Sequence, residues 1–123
     1  MKRYSKEHEW VELQGTEAVM GITAYAAAEL GDITYVEVPA LGKKVKVNDV
    51  LCVVESVKAA SDVYAPVGGE VCAVNGNLDA DPALVNQSSE DKGWFCRLKG
   101  VAQAEFDALM TADQYAAYTA GLK

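Results

Sequence analysis

The chain has 123 residues, half of them hydrophobic and about a quarter charged, which is the composition of one globular domain with a modest core. Its formal net charge of −7 argues against nucleic acid and anionic membranes, because their phosphates require clusters of Lys and Arg. No apolar run approaches the roughly 20 residues that span a bilayer, and the N-terminus MKRYSKEHEW lacks a signal-peptide apolar stretch. We therefore expect a cytoplasmic protein, with a mitochondrial protein that has lost a transit peptide as the alternative.

Short runs rich in β-branched residues, each bounded by turn residues, predict a mainly β protein. In chain order, the predicted strands are Trp10–Leu13, Glu17–Gly21, Ile33–Val38, Val50–Val57, Ala60–Ala65, Glu70–Val74 and Trp94–Leu98. Gln14-Gly15 is a hairpin signal between the first two strands, and Pro39 stops the third. Many short strands at regular spacing favour a β-sandwich or a flattened barrel.

Helical patterns are confined to one internal segment and to the end of the chain. The predicted helices are Ala24–Leu30, Val101–Met110 and Asp113–Gly121. Thr23 is a suitable N-cap for the first helix, Gly31 can end it, and Thr111 is a suitable cap between the last two. We expect the aromatic residues of the last two helices to pack against the sheet. Since no stretch is linker-like, we predict one domain over residues 1–123, with a helical segment at about 101–123.

Lys58 is the only basic residue in the fourteen-residue stretch VVESVKAASDVYAP, which joins two β-rich runs. A similar pattern of a Pro, a Gly turn and a Val-bearing strand flanks this stretch on either side, at 39–45 and at 66–71. Two such halves would place Lys58 at a hairpin end, near a pseudo-two-fold axis and exposed to solvent. On the residues alone, Lys58 is either a solvated hairpin tip or a point of attachment.

Four segments in this order resemble the glycine cleavage system H protein family, whose members carry a lipoyl group. The segments are HEWV at His8–Val11, GIT-x-YA with the following LGDI and YVEVP at 21–39, ESVKAASDVY-AP with GEV at 55–71, and P-x-LVN with GW at 82–94. The third segment is the most specific of the four. The chain departs from the family pattern at Ala24 and in the loop Ser88–Lys92.

The resemblance implies a fold and a function. The fold is the lipoyl/biotinyl-type flattened β-barrel, a barrel-sandwich hybrid, with a short internal helix and C-terminal helices. The function is that of a shuttle with no catalytic residues of its own, in which (R)-lipoate is attached covalently to Lys58.

The resemblance also implies partners. A pyridoxal-phosphate glycine decarboxylase would load an aminomethyl group onto the arm, and a tetrahydrofolate-dependent aminomethyltransferase would unload it. Dihydrolipoyl dehydrogenase, an FAD enzyme, would reoxidise the arm, and a lipoate-attaching enzyme would install it. We expect the protein itself to be a monomer.

Around the lysine, Glu55, Val57 and Ala59 are the residues that we expect the lipoate-attaching enzyme to recognise. Glu9 and Asp62 are candidates for docking the loaded arm, since carboxylates in a cleft that excludes water would hold its cationic amine. The alternative interpretation is that Glu9 and Asp62 are ordinary solvated carboxylates on the surface.

The remaining reactive residue types do not form a catalytic or metal site by their spacing. His8 is the only histidine, and no Ser, Cys or acid is placed with it, so we expect a structural or surface role. Cys52, Cys72 and Cys96 lack metal-type spacing. Cys52 and Cys72 lie inside Val-rich runs, and we interpret them as buried reduced thiols, whereas the sequence does not decide whether Cys96 is exposed.

Two other functions stay open on the sequence. The protein could be a lipoylated H-like paralogue that serves as a lipoate relay or a redox carrier. It could instead be an unmodified interaction module on the same fold, with Lys58 merely a solvated tip. A biotinyl carrier is a lesser alternative, because such domains resemble Met-Lys-Met around the lysine, whereas this chain has Val57-Lys58-Ala59.

Overall fold

The computed structural model describes residues 2–122, which contain nine short strands and five short helices. The strands are β1 (Lys2–Tyr4), β2 (Glu9–Gln14), β3 (Glu17–Ile22), β4 (Ile33–Glu37), β5 (Lys44–Val45), β6 (Val50–Ser56), β7 (Ala60–Tyr64), β8 (Gly69–Val74) and β9 (Cys96–Lys99). The helices are α1 (Ala24–Leu30), α2 (Asn77–Ala80), α3 (Leu84–Ser88), α4 (Gln103–Asp107) and α5 (Ala112–Ala120).

The strands form two antiparallel sheets that share one hydrophobic core. The larger sheet has the order β1-β2-β3-β9-β8-β5, and the smaller has the order β4-β6-β7. Side chains from both sheets, including Val11 and Leu98 of the larger and Val36 and Val54 of the smaller, belong to a single buried cluster. Two facing sheets around one core form the flattened barrel, so the predicted fold class is confirmed.

Local signals in the sequence correspond closely to the turns and caps of the structure. Gly15 has a φ of +67° in the β2–β3 hairpin, a conformation that glycine adopts without steric cost. The Thr23 side chain accepts a hydrogen bond from the Ala26 N–H and caps α1, and Gly31 follows the last residue of the helix. Thr111 forms a capping box with Gln114 at the start of α5.

The structure adds β5, α2 and α3 to the predicted elements, and it differs at two further places where tertiary contacts decide. Strand β1 was not predicted, because KRY is polar and short; it forms because Tyr4 exchanges two backbone hydrogen bonds of 2.8 Å with Met110 while pairing with β2. The first C-terminal helix is shorter than predicted, because Ala102 has an extended backbone and α4 begins only at Gln103. Phe106 and Tyr115 are buried, as expected for aromatic residues that pack on the sheet.

Cys52 and Cys96 are buried in the core, whereas Cys72 is half-buried. A hydrogen bond with Cys96, together with burial, raises the pKa of the Cys52 thiol, so this thiol is not a nucleophile near neutral pH. Within residues 2–122, no three His, Cys, Asp or Glu side chains are grouped so as to hold a metal ion. None of the helices in this part of the chain has the length and apolar character needed to cross a membrane.

Candidate functional site

Lys58 lies at the exposed tip of the hairpin that joins β6 to β7. The Ser56 hydroxyl closes this turn, because it accepts hydrogen bonds from the N–H groups of Lys58 (3.1 Å) and Ala59 (3.2 Å). The Ser56 N–H also donates to the Ala59 carbonyl at 2.8 Å. The tip is therefore a defined turn on a rigid two-stranded support, which fixes where the lysine side chain starts.

The hairpin tip rests against the C-terminal end of α1. The Val57 N–H donates to the Asp32 carbonyl at 3.0 Å, and the Lys58 Nζ donates to the Glu29 carbonyl at 3.3 Å. Gly31, with a φ of +78°, lies next to the Lys58 side chain, since a Cβ built on it would be 3.6 Å from Lys58 Cε. A cation next to the last carbonyls of a helix is a favourable arrangement.

A cleft of about 590 Å³ opens beside the lysine. Its walls come from the segment before β2 and the start of β2, from the end of β3, from α1 and from β7. The lining residues are Glu7, His8, Glu9, Ile22, Tyr25, Ala26, Glu29, Leu30, Ala60, Ser61, Asp62, Val63 and Tyr64. Because Glu29 lines the cleft and its carbonyl accepts from Lys58 Nζ, any group attached to that nitrogen would begin at the rim of the cleft.

Glu9 lies in the cleft wall and is only 2% exposed. Its carboxylate accepts hydrogen bonds from the Ser5 hydroxyl and from the Tyr64 N–H, the latter at 3.2 Å. Burial raises the pKa of Glu9 from 4.5 to about 7, although both hydrogen bonds oppose this shift. Glu9 is therefore not a solvated surface carboxylate, whereas Asp62, which lines the same cleft, is exposed.

His8 also lines the cleft, which its sequence context did not indicate. Its backbone has a φ of +68°, in the left-handed region, and its ring lies 4.8 Å from the ring of Tyr25. Its Nδ1 is hydrogen-bonded to the Tyr115 hydroxyl at 2.8 Å. Burial lowers the pKa of His8, which disfavours its charged form, and the hydrogen bond to Tyr115 holds the ring against α5.

The structure thus gathers three of the six predicted site residues, Lys58, Glu9 and Asp62, around one cleft. The other three, Glu55, Val57 and Ala59, are exposed on the hairpin itself, with Val57 at 67%. Glu55 is paired with Tyr35 and Ala60 across the smaller sheet. These three residues therefore surround the lysine where another protein could contact them.

Sequence reasoning missed several residues that build the cleft. Ser5 and Tyr64 hold the Glu9 carboxylate, while Tyr25 and Glu29 belong to the wall formed by α1. The pattern AYAAAEL predicts a helix, but nothing in it shows what that helix faces. For Tyr64 alone, the sequence contained a signal, because it lies two residues from the predicted site residue Asp62.

Comparison with known proteins gives consistent matches over nearly the whole chain. A family model described as "Glycine cleavage H-protein" matches residues 2–121. The glycine cleavage system H protein of Caulobacter vibrioides is 55% identical over 116 residues, which cover 94% of this chain and 96% of that protein. The protein of the same name from Thermotoga maritima is 41% identical over 120 residues, covering 98% and 97%.

A solved structure also matches nearly the whole chain. The crystal structure of a glycine cleavage system H protein from Mycobacterium marinum superposes with a TM-score of 0.86 at 30% sequence identity. The match covers 97% of this chain and 96% of that chain. Its extent includes both sheets and the C-terminal helices.

Proposed function

The chain belongs to the glycine cleavage H-protein family, and on this premise we propose that it is a lipoyl-carrying shuttle of the glycine cleavage system, with Lys58 as the residue that carries the lipoyl group. The observation that supports this assignment best is the position of Lys58. It lies at an exposed hairpin tip, and its Nζ is held at the rim of a cleft. A lysine that only solubilised the tip would not need that cleft.

The residues of the cleft fit a long arm with an apolar stem and a cationic end. Ile22, Ala26, Leu30 and Val63 give it an apolar wall, and the buried Glu9 supplies a carboxylate. When bound, the lipoyl group supplies a dithiolane, which takes up the aminomethyl group and undergoes thiol–disulfide exchange. Attachment through an amide removes the charge of Lys58 Nζ, so that the stem enters an apolar cleft at lower desolvation cost.

Glu9 and Asp62 hold the positive charge of the cargo in this proposal. Docking of a cation favours the ionised form of Glu9, so the carboxyl releases its proton as the cargo docks. The Ser5 hydroxyl and the Tyr64 N–H orient the carboxylate. Exclusion of water by the cleft slows the loss of the labile aminomethyl group.

The partners follow from the family. Glycine decarboxylase loads the arm, an aminomethyltransferase that uses tetrahydrofolate unloads it, and dihydrolipoyl dehydrogenase reoxidises it. Glu55, Val57 and Ala59, exposed around Lys58, are the surface that a lipoate-attaching enzyme reads. The protein positions the arm and makes no bonds itself. Its monomeric state stays a prediction.

The decisive experiment is the intact mass of the protein after expression with lipoate and a lipoate-attaching enzyme, beside the Lys58→Arg variant. We expect one lipoyl increment in the native chain and none in the variant. An absence of any increment in the native chain would contradict the carrier function and favour an unmodified interaction module. Loading of the arm by a glycine decarboxylase then separates a glycine-cleavage shuttle from a lipoate relay, which would not be loaded.

A further inference from the structure

The loop Ser88–Lys92, where the chain departs from the family pattern, is tied to helix α1. The Glu90 carboxylate accepts a hydrogen bond from the N–H of Ala24, the first residue of α1, at 3.0 Å. Its other oxygen accepts from the Tyr4 hydroxyl at 3.3 Å. The first N–H groups of a helix have no partner within the helix, and a side-chain oxygen that accepts from one of them satisfies it.

The same chain segment also holds the opposite end of α1. The side chain of Asn86, in α3, donates from Nδ2 to the Gly31 carbonyl at 2.8 Å. Its Oδ1 accepts from the Ile33 N–H at 2.9 Å. Asn86 and Glu90 therefore lie four residues apart in sequence and bind the two ends of one seven-residue helix.

Glu90 is in addition part of a cluster that reaches the C-terminal helix. The ring of Tyr4 stacks on that of Tyr115, with centroids 4.8 Å apart and planes inclined by 10°. The Tyr115 hydroxyl is hydrogen-bonded to Thr23 Oγ1 at 2.7 Å, and Thr23 is the N-cap of α1. The start of α1 is thus held from two sides, by Glu90 and by Tyr115.

Helix α1 depends on such contacts for its position. It is too short to be stable by itself, and Ala27 is the one fully buried residue in it. Nevertheless it forms a wall of the cleft through Tyr25, Ala26, Glu29 and Leu30, and its last turn holds Lys58 Nζ. A shift of α1 would therefore change both the width of the cleft and the place where the arm enters it.

We infer that the segment from Asn86 to Glu90 is a brace for α1, and that Glu90 is a positioning residue which sets the cleft wall against which the loaded arm docks. This inference rests on the proposed carrier function. It assigns a role in arm docking to a residue that lies outside the lining of the cleft. The charge of Glu90 is secondary, because the brace consists of two hydrogen bonds accepted by its side chain.

The first test uses the protein without lipoate, so its outcome does not depend on the carrier function. Glu90→Ala should accelerate amide hydrogen exchange in α1 by about fivefold, the size expected for loss of one helix-terminal interaction. Exchange in the β2–β3 hairpin should stay unchanged. Glu90→Gln should behave as the native chain, because its amide accepts from the Ala24 N–H and donates to the Tyr4 oxygen. Asp91→Ala, in the same loop and exposed, is the matched control.

The second test uses the lipoylated protein after loading with the aminomethyl group. Glu90→Ala should shorten the lifetime of the load by about the same factor of five, while Glu90→Gln and Asp91→Ala should keep the native lifetime. Asn86→Ala, at the other end of α1, should shorten it as well. An unchanged lifetime in Glu90→Ala, or equal acceleration of exchange in α1 and in the β2–β3 hairpin, would overturn the inference. If the native chain takes up no lipoyl group, the proposed function fails instead, and the exchange result still decides whether the brace exists.

Discussion

The Nζ of Lys58 lies 3.3 Å from the carbonyl oxygen of Glu29, so the amine of an exposed hairpin tip is held against the last turn of α1. This contact connects the hairpin tip with the cleft, because Glu29 lines the cleft as well. The hairpin therefore presents the lysine, and α1, which contacts it, forms the cleft wall along which an attached arm would lie.

We expect Glu9 to make folding stability pH-dependent. Its pKa is about 7 in the folded state and 4.5 in the reference state, so the folded chain holds this proton more tightly than the unfolded chain. The contribution of Glu9 to stability therefore falls as the pH rises from 4.5 to about 7 and is level above that range. At high pH, ionisation of Glu9 lowers the free energy of unfolding by an amount on the order of 3 kcal/mol.

Urea unfolding of Glu9→Gln beside the native chain measures this effect. At pH 8 the variant should be the more stable protein by up to roughly 3 kcal/mol, and the difference should shrink towards pH 5. Glu12→Gln, in the same strand, serves as the control and should follow the native chain. A Glu9→Gln difference that does not vary with pH would show that Glu9 titrates normally.

Removal of the Glu9 charge should destabilise the docked, loaded arm. In the lipoylated and loaded protein, Glu9→Gln should lose its aminomethyl group by hydrolysis about tenfold faster than the native chain. The reason is the loss of a charge-assisted hydrogen bond between the carboxylate and the cationic load. Asp62→Asn should have a smaller effect, since Asp62 is exposed and its interaction with the cation is screened by water. The decrease in intact protein mass with time measures the release of the aminomethyl group. An unchanged rate in Glu9→Gln would remove Glu9 from the docking site.

Glu55 should affect attachment of the lipoyl group and leave the fold unaffected. It is exposed next to the hairpin tip, so Glu55→Gln removes a surface charge that a partner could contact. We expect the rate of lipoylation to fall several-fold, by roughly 1 kcal/mol of recognition energy, at unchanged melting temperature. Glu37→Gln is the matched control, because Glu37 is exposed in the same sheet and lies opposite Val53, away from the tip. Equal rates for both variants and the native chain would exclude recognition through Glu55.

Gly21 should tolerate no side chain. A Cβ at this position would lie 2.9 Å from Nε1 of the buried Trp10, whose indole N–H donates to the Ser89 carbonyl at 2.8 Å. Gly21→Ala should therefore lower the free energy of unfolding by about 1–3 kcal/mol, as overpacking does, and should shift the Trp fluorescence. Gly76→Ala is the control, since no atom lies within 4 Å of a Cβ there, and we expect it to be close to neutral. Equal stability of the two variants would show that the Trp10 ring moves enough to accommodate the added methyl group.

Much of the fold could be predicted because its signals are local. The Gln14-Gly15 turn, the Thr23 and Thr111 caps and the alternation of β-branched residues each act within a few residues, and each is present in the structure. Strand β1 and the length of α4 were not predictable in this way. Both depend on contacts such as the pairing of Tyr4 with Met110, over a hundred positions apart, and no local pattern encodes them.

By itself, the sequence determined the class of fold, the family and the hairpin that presents Lys58, since turn residues and a specific motif suffice for these. Only the tertiary structure decided that Glu9 is buried beside the cleft, that His8 lines it and that Glu90 holds the helix forming its wall. Glu9 meets the Tyr64 N–H across 55 positions of sequence, and Glu90 meets the Ala24 N–H across 66. The environment of a carboxylate, and hence its pKa, is set by what packs around it in space.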